Sequence, residues 1–260
     1  MSILRIPKFS WDLAVAVWSR NAAVYRKTYK LNIIPNFFEP VFFLLSMGLG
    51  VGSYIQTVEG QPYLQYIAPG LLASQAMMGA TFEVTYNCFV KMNFGKVYDS
   101  IIATPVHVEE VALGEILWAM TRGTLYAWMF FAVLVPFGAV PGPTALLALP
   151  VTVLIAAMFA TLGLTFTALT PTIDLYSYYF TLFVSPMFLF SGIFFPLDRM
   201  PAWCQAAARL SPLYHGVELV RGVFRGQYTL ATAGHGLVIL AITAVTFVLS
   251  VNLIHRKLVK

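Results

Sequence analysis

The sequence predicts an all-α integral membrane protein. It has six transmembrane helices, an N-terminal amphipathic interfacial helix, and external re-entrant helices between spans five and six. Three observations carry this reading. First, of 260 residues 59% are hydrophobic and 10% charged, with a mean hydropathy of +0.76, whereas soluble domains carry about 25% charged residues. Second, apolar runs recur at lengths near the roughly 20 residues that cross a bilayer as a helix. Third, no segment between these runs is long enough for a separate soluble domain, so residues 1–260 read as one membrane domain.

Residues 7–30 form the expected interfacial helix. Trp11, Val15, Trp18, Ala22, Tyr25 and Tyr29 recur at alternating steps of four and three, and Arg20, Arg26, Lys27 and Lys30 lie on other faces. Such a helix rests its aromatic side in the acyl boundary and its cations among headgroups. The segment does not read as a cleavable signal peptide. Its first thirty residues hold six Lys/Arg and no uninterrupted apolar core.

The first span is Ile33 to Tyr54, with Pro35 and Pro40 expected in its first turns, where proline does least damage. The second is Tyr63 to Val90. A polar loop, Lys91 to Val108, follows. Val111 to Phe137 is the third span and Ala145 to Leu169 the fourth, joined by the Pro/Gly turn Gly138 to Pro143. Thr170 to Asp174 turns into the fifth span, Tyr176 to Phe195. Two short amphipathic pieces, Met200 to Leu210 and Pro212 to Arg225, form a cap before the last apolar run, Leu237 to Ile254. A simple helical hairpin needs only a polar turn, and this cap carries Arg199, Arg209, Arg221 and Arg225 among apolar residues.

Six spans place both termini on one side. The N-terminal segment, the Lys91 loop and the C-terminal tail together hold eleven Lys/Arg, against the four cap arginines opposite. The positive-inside rule then puts both termini in the cytoplasm. The formal net charge of +5 reads as a topology signal and an affinity for anionic lipid, not as nucleic-acid binding. Cys88 and Cys204 lie far apart in the layout, so no disulfide framework is expected. No internal repeat is visible, unlike the repeat-built secondary transporters.

Charges inside spans need a partner or a task. At 1.5 Å per residue, Glu83 and Arg122 reach similar depths, which suggests an ion pair between the second and third spans. The alternative is that Arg122 turns toward Glu115 or the headgroups. Aromatic residues cluster in the first span (Phe37, Phe38, Phe42) and the fifth (Tyr176, Tyr179, Phe180, Phe183). They suit an aromatic-lined path for a glycan or amphiphile, or else they are core and lipid-facing side chains. In the loop Lys96 to His107, apolar Val97, Ile101 and Ile102 alternate with polar Asp99 and Ser100. A short helix there has the pattern that docks into a partner's groove.

Several activities find no support. There is no G-x-x-x-x-G-K-[ST] phosphate loop, no H-E-x-x-H and no Cys/His metal spacing. A serine hydrolase using Ser185 or Ser191 with His215 would want a G-x-S-x-G elbow, which the chain lacks. The enzyme alternative is a lipid-modifying activity dependent on His215.

Several stretches resemble the membrane subunits of type-2 ATP-binding-cassette exporters, and within them the NodJ-like permeases of lipo-oligosaccharide export. The longest runs Ser185-Pro186-Met187 through Ser191-Gly192-Ile193-Phe194-Phe195-Pro196-Leu197-Asp198. It continues with Pro201, Ser211-Pro212-Leu213-Tyr214-His215 and Leu219-Val220-Arg221. Ala80-Thr81-Phe82-Glu83, Leu113-Gly114-Glu115 with Trp118-Ala119, and Leu169-Thr170-Pro171 with Asp174 are also similar. The resemblance implies a permease of the bacterial inner membrane that works as a homodimer with two copies of a separate ATPase. ATP and Mg would sit on that partner, with no cofactor in this chain and no catalysis by it. It further implies a coupling helix at 96–105, with Val97, Asp99, Ile101, Ile102 and Pro105 facing the ATPase. It implies a re-entrant cap at 200–225, introduced by Pro196 and carrying Arg209, Pro212, His215, Glu218 and Arg221. The cargo implied is a lipo-oligosaccharide or related glycolipid; relatives with the same signature export drugs or polysaccharide.

Overall fold

The computed structural model describes residues 9–55 and 57–259, apart from the side chains of Leu31, Pro35, Asn36, Phe37 and Leu49. Helix α1 spans Trp11–Leu45 and continues through a π turn to Tyr54. The expected break near residue 31 between an interfacial helix and a first span is not there. Pro35 and Pro40 therefore lie inside a 35-residue helix instead of opening a new one. Membrane helices tolerate this because neighbouring groups satisfy the carbonyls that proline frees.

A two-residue hairpin, β1 (Thr57–Val58) and β2 (Gln61–Pro62), turns the chain at Glu59-Gly60. Helix α2 (Tyr63–Phe82) follows and extends through π turns at Glu83–Asn87 and Val90–Phe94. The short helix α3 is Val97–Ile102, and α4 is Val108–Leu134. Glu110 opens α4 by accepting the His107 N–H at 2.6 Å, and its other oxygen accepts the Ser10 N–H at 3.0 Å. One buried carboxylate thus caps α4 and anchors the start of α1 beside it. Then come α5 (Ala148–Leu169), the shorter apolar α6 (Leu175–Phe190), α7 (Ala202–Leu210), α8 (Pro212–Phe224) and α9 (Leu230–Leu258).

Helices α2, α4 and α5 form the centre. Tyr66, Ile67, Leu71, Leu72 and Met77 of α2 meet Phe130 and Leu134 of α4 and Ile155 and Phe159 of α5, all fully buried. Gly123 sets the α2–α4 spacing: a Cβ there would lie 2.6 Å from the Ala76 carbonyl oxygen, and Gly79 faces it from α2. Small residues at the crossing let the backbones approach, as in membrane bundles generally. α1 packs along α4, with Ala14 and Val17 buried and Trp18 donating Nε1–H to Thr121 Oγ1 at 3.0 Å.

Among the described residues, four helices are long and apolar enough to cross a membrane: Asn32–Tyr54, Val108–Leu134, Pro143–Leu169 and Leu230–Leu258. The other two expected spans do not qualify by length and apolarity alone. Tyr63 to Val90 includes a π turn opened by a charged residue, Glu83, and Leu175–Phe190 is short, ending before Gly192. The ends of the described chain meet at one end of the bundle. Lys257 of α9 donates to the Thr167 and Thr170 carbonyls at the close of α5, at 2.8 and 2.6 Å. His255 lies 3.0 Å from Glu109 of α4.

Candidate functional site

The π turns of the α2 extension decide where its polar side chains go. An i→i+5 turn takes more residues per turn than the 3.6 of an α-helix, so residues four and eight apart stay on one face. Glu83, Asn87 and Lys91 accordingly project together toward α1 and α4. Lys91 Nζ lies 3.1 Å from Glu83 Oε1 and 2.6 Å from Glu115 Oε2. Arg122 Nη1 lies 2.5 Å from Glu83 Oε2, which also accepts from Asn87 Nδ2 at 2.6 Å. Asn21 of α1 donates Nδ2–H to Glu115 Oε1 at 3.1 Å, and Cys88 Sγ lies 3.4 Å from Glu115 Oε2. Every carboxylate oxygen of the two glutamates is thus occupied.

Two cations balance two anions, with Glu83 2%, Glu115 1% and Arg122 7% exposed. Burial makes each unpaired charge costly, and the pairing offsets that cost. Arg122 also donates to the Tyr126 hydroxyl and sits 4.9 Å from the Tyr25 ring centre and 5.2 Å from that of Tyr126. A cleft of about 370 Å³ opens beside this cluster. Arg20, Tyr25, Thr28 and Asn87 are among the residues that line it.

The structure brings Glu83 and Arg122 together. Glu115 turns to Lys91 and Asn21 instead of to Arg122. Lys91, read from sequence as a loop residue, is the hub. The signal that could have found it is the spacing Glu83, Asn87, Lys91, which the apolar average of the span conceals.

Six residues after Lys91 begins α3, within the expected coupling segment 96–105. Tyr98 is buried, Val97, Ile101 and Ile102 are half-buried against the core, and Asp99 and Pro105 are exposed. The short helix therefore presents a polar outer surface on an apolar seat.

The aromatic residues separate into two groups. Tyr176 and Tyr179 are buried and Phe180 half-buried, in a packed ladder: Tyr179 stacks on Phe166 at 4.3 Å and Phe180 on Phe82 at 4.5 Å. Tyr176 and Tyr179 are core side chains in this conformation, held by ring contacts, and do not line an open path. Phe38, Phe42 and Phe183 are exposed. Phe37 lies among the side chains outside the description.

At the opposite end of the bundle, α7 and α8 form the cap. Pro196 precedes a short 3₁₀ turn and Pro212 opens α8. Gly192 adopts φ +76°, a left-handed conformation that favours glycine. Its carbonyl accepts Arg221 Nη2–H at 2.7 Å and the Tyr66 hydroxyl at 3.3 Å. Arg221 also pairs with Glu218 and lies 4.6 Å from the Tyr66 ring centre. Arg225 pairs with Glu59 of the hairpin at 2.6 Å. Two of the four cap arginines are thus structural ties, while Arg199 and Arg209 are exposed. Ser191 Oγ faces Ser211 Oγ at 2.9 Å, and His215 faces His235 and the Arg209 carbonyl. These contacts give Ser191 no histidine partner and do not support a serine–histidine hydrolase. Burial, reinforced by the neighbouring His235, holds the His215 imidazole below its usual pKa.

Comparison with known proteins agrees with this architecture. The family model for the ABC-2 type transporter matches residues 13–224. The chain is 34% identical over 253 residues to Nodulation protein J of Sinorhizobium fredii, covering 97% of this chain and 96% of that protein. It is 30% identical over 256 residues to Nodulation protein J of Rhizobium meliloti, covering 98% and 97%. A more distant similarity, 23% over 219 residues and 83% and 84% of the two chains, is to the inner membrane transport permease YadH of Escherichia coli. ABC-2 permeases are multi-pass transport components that generally pair with an ATPase subunit. A chain whose buried charge cluster, short exposed helix and arginine-tied cap lie within that family match belongs to the ABC-2 type transporter family, as an exporter's permease subunit.

Proposed function

We propose that this permease exports a lipo-oligosaccharide or related glycolipid across the bacterial inner membrane, as a homodimer driven by two copies of a separate ATPase that holds ATP and Mg. The observation that carries the cargo reading is the similarity to Nodulation protein J along nearly the whole chain. The signature from Ser185 to Arg221 supports the permease class, and the cargo reading rests on that similarity. Six spans with both termini in the cytoplasm, and α7–α8 re-entering from outside, complete the topology. The basic residues concentrated in the N-terminal segment, the Lys91 loop and the tail support that orientation.

The mechanism follows from the charge cluster. The ATPase engages Asp99 and Pro105 on the exposed side of 96–105. Movement of α3 pulls on the preceding turn, which carries Lys91. Lys91 cannot leave Glu83 and Glu115 without stranding buried charges, so the displacement passes to α1 through Asn21 and to α4 through Glu115. The second copy covers the first span and α6, whose outward aromatics Phe38, Phe42 and Phe183 border the cargo path. That face is sparsely buried within one chain: 14% of the Asn32–Tyr54 window is buried, which supports a partner or lipid there.

The test is co-purification of the chain with the ATPase encoded beside it, followed by ATP turnover with and without lipo-oligosaccharides. A stable complex stimulated by one such glycolipid, and not by polysaccharide or hydrophobic drugs, is the expected result. Stimulation by drugs or polysaccharide alone would overturn the cargo reading. Failure of any ATPase to bind would remove the motor.

A further inference from the structure

A groove of about 570 Å³ runs between the first half of α1 and the sides of α4 and α5. Val15 and Trp18 line it from α1, Leu117, Leu125 and Trp128 from α4, and Val153 from α5. Both tryptophans spend their polar edges inside the protein. Trp18 donates Nε1–H to Thr121 Oγ1 at 3.0 Å, and that hydroxyl donates onward to the Leu117 carbonyl at 2.8 Å. Trp128 Nε1 lies 3.2 Å from both the Leu149 carbonyl oxygen and Thr152 Oγ1. An indole at a membrane surface commonly keeps its N–H for water or headgroups. Here both rings have only hydrocarbon left to offer the groove.

We propose that this groove holds one acyl chain of an anionic phospholipid, bound specifically between α1 and α4.

Medium, length and charge each favour this occupant. The groove follows Val108–Leu134 and Pro143–Leu169, two helices long and apolar enough to cross a membrane. Water would find few hydrogen-bond partners there, and an empty groove forfeits dispersion contacts along its walls. Leu117 to Trp128 is eleven residues of helix, or about 16 Å at 1.5 Å per residue. One leaflet of a bilayer contributes about half of the roughly 30 Å hydrocarbon core, so the groove matches one extended chain. The ionisable side chains of α1 that are exposed beyond Trp18 and up to Lys30 include Arg20, Arg26, Lys27 and Lys30, all four of them basic. Arg26 follows Val15 by three helical turns and lies on the same face. Cations beside a membrane surface attract anionic headgroups, so the helix that walls the groove also favours the lipid's charged end.

A chain seated in the groove packs α1 against α4 where protein atoms alone leave a gap. The groove shares no residue with the cleft beside the charge cluster. It also lies apart from Phe38, Phe42 and Phe183, so the inference does not rest on the cargo reading.

The experiment uses the full chain, purified in detergent and freed of lipid. Phosphatidylglycerol or phosphatidylcholine with the same acyl chains is added back, and retained lipid is counted by native mass spectrometry. The expected result is one phosphatidylglycerol held per chain, with phosphatidylcholine retained at least fivefold less. Phosphatidylglycerol brominated on its chains should quench tryptophan fluorescence, saturating at one equivalent. Joint Trp18→Phe and Trp128→Phe should remove the quenched component. Thr124→Phe and Val15→Phe fill the groove from opposite helices, and each should cut retention at least fivefold. Val245→Phe, at an exposed site on α9, should leave it unchanged. Melting temperatures without lipid identify any variant that fails to fold. Retention unchanged in both folded groove variants would overturn the proposal. Equal retention of the two lipids would do the same, as would lipid numbers that rise without saturating, the behaviour of a non-specific annulus.

Discussion

Lys91 sets its ammonium 2.6 Å from Glu115 Oε2 and 3.1 Å from Glu83 Oε1, so one cation joins carboxylates on two different helices. Replacing it with methionine would leave Glu83 paired with Arg122 and Glu115 buried with no cation beside it. Breaking a buried pair from one side costs about 3–5 kcal/mol. Lys91→Met should lower the melting temperature markedly in detergent. Adding Glu115→Gln should recover part of that loss, measured as a coupling energy in a double-mutant cycle. Simple additivity would show that the two side chains do not interact.

Glu83 and Arg122 behave differently on exchange than on joint neutralisation. Glu83 also accepts from Asn87 and Lys91, so Glu83→Arg with Arg122→Glu would set an arginine against Lys91. Glu83→Gln with Arg122→Gln leaves Lys91 balanced by Glu115. The neutral double variant should be more stable than the exchanged one and than Glu83→Gln alone. Thermal unfolding of the three variants ranks them.

Gly123 has no room for a side chain. Gly123→Ala would push its Cβ to 2.6 Å from the Ala76 carbonyl, an overpacking that costs about 1–3 kcal/mol. At Gly50 no atom lies within 4 Å of an added Cβ. Gly50→Ala should be neutral or slightly stabilising. Comparing the two in one melting assay separates crowding at the α2–α4 crossing from a general effect of losing glycine.

Arg221 holds the cap through planar geometry. It donates to Gly192, pairs with Glu218 and lies over Tyr66 at once. Lysine is a point charge and cannot reproduce that fork. Both Arg221→Lys and Arg221→Met should loosen residues 192–225, seen as faster amide exchange there with little change in α5. Full protection in the lysine variant would mean that charge alone suffices.

Asp99 is exposed on the short helix Val97–Ile102. Asp99→Arg should leave the fold within about 0.5 kcal/mol, as surface changes generally do. It should weaken retention of the ATPase on an affinity column several-fold. An unchanged complex would move the docking surface elsewhere.

Much of the molecule could be read from residue order. The helical membrane class, the Asn32–Tyr54, Val108–Leu134, Pro143–Leu169 and Leu230–Leu258 segments, and the two short cap helices all show as runs and breaks in apolarity. The family was legible in the Ser185–Arg221 signature. The continuous α1 was not, because prolines at 35 and 40 resemble a helix start when the neighbours that satisfy the freed carbonyls are unknown. The hub role of Lys91 was hidden too. A lysine at the end of an apolar run reads as a loop residue until π turns bring it round to Glu83 and Glu115.

By itself, the sequence determined what local chemistry can specify: which stretches prefer hydrocarbon, where glycine and proline interrupt them, and which charges require partners. Tertiary structure alone decided which partners those charges have, which aromatics are core and which face outward, and that His215 meets His235. The reason is physical. Apolarity acts through a residue's own surface, whereas an ion pair or a shared hydrogen bond depends on distances of about 3 Å between helices far apart in the chain.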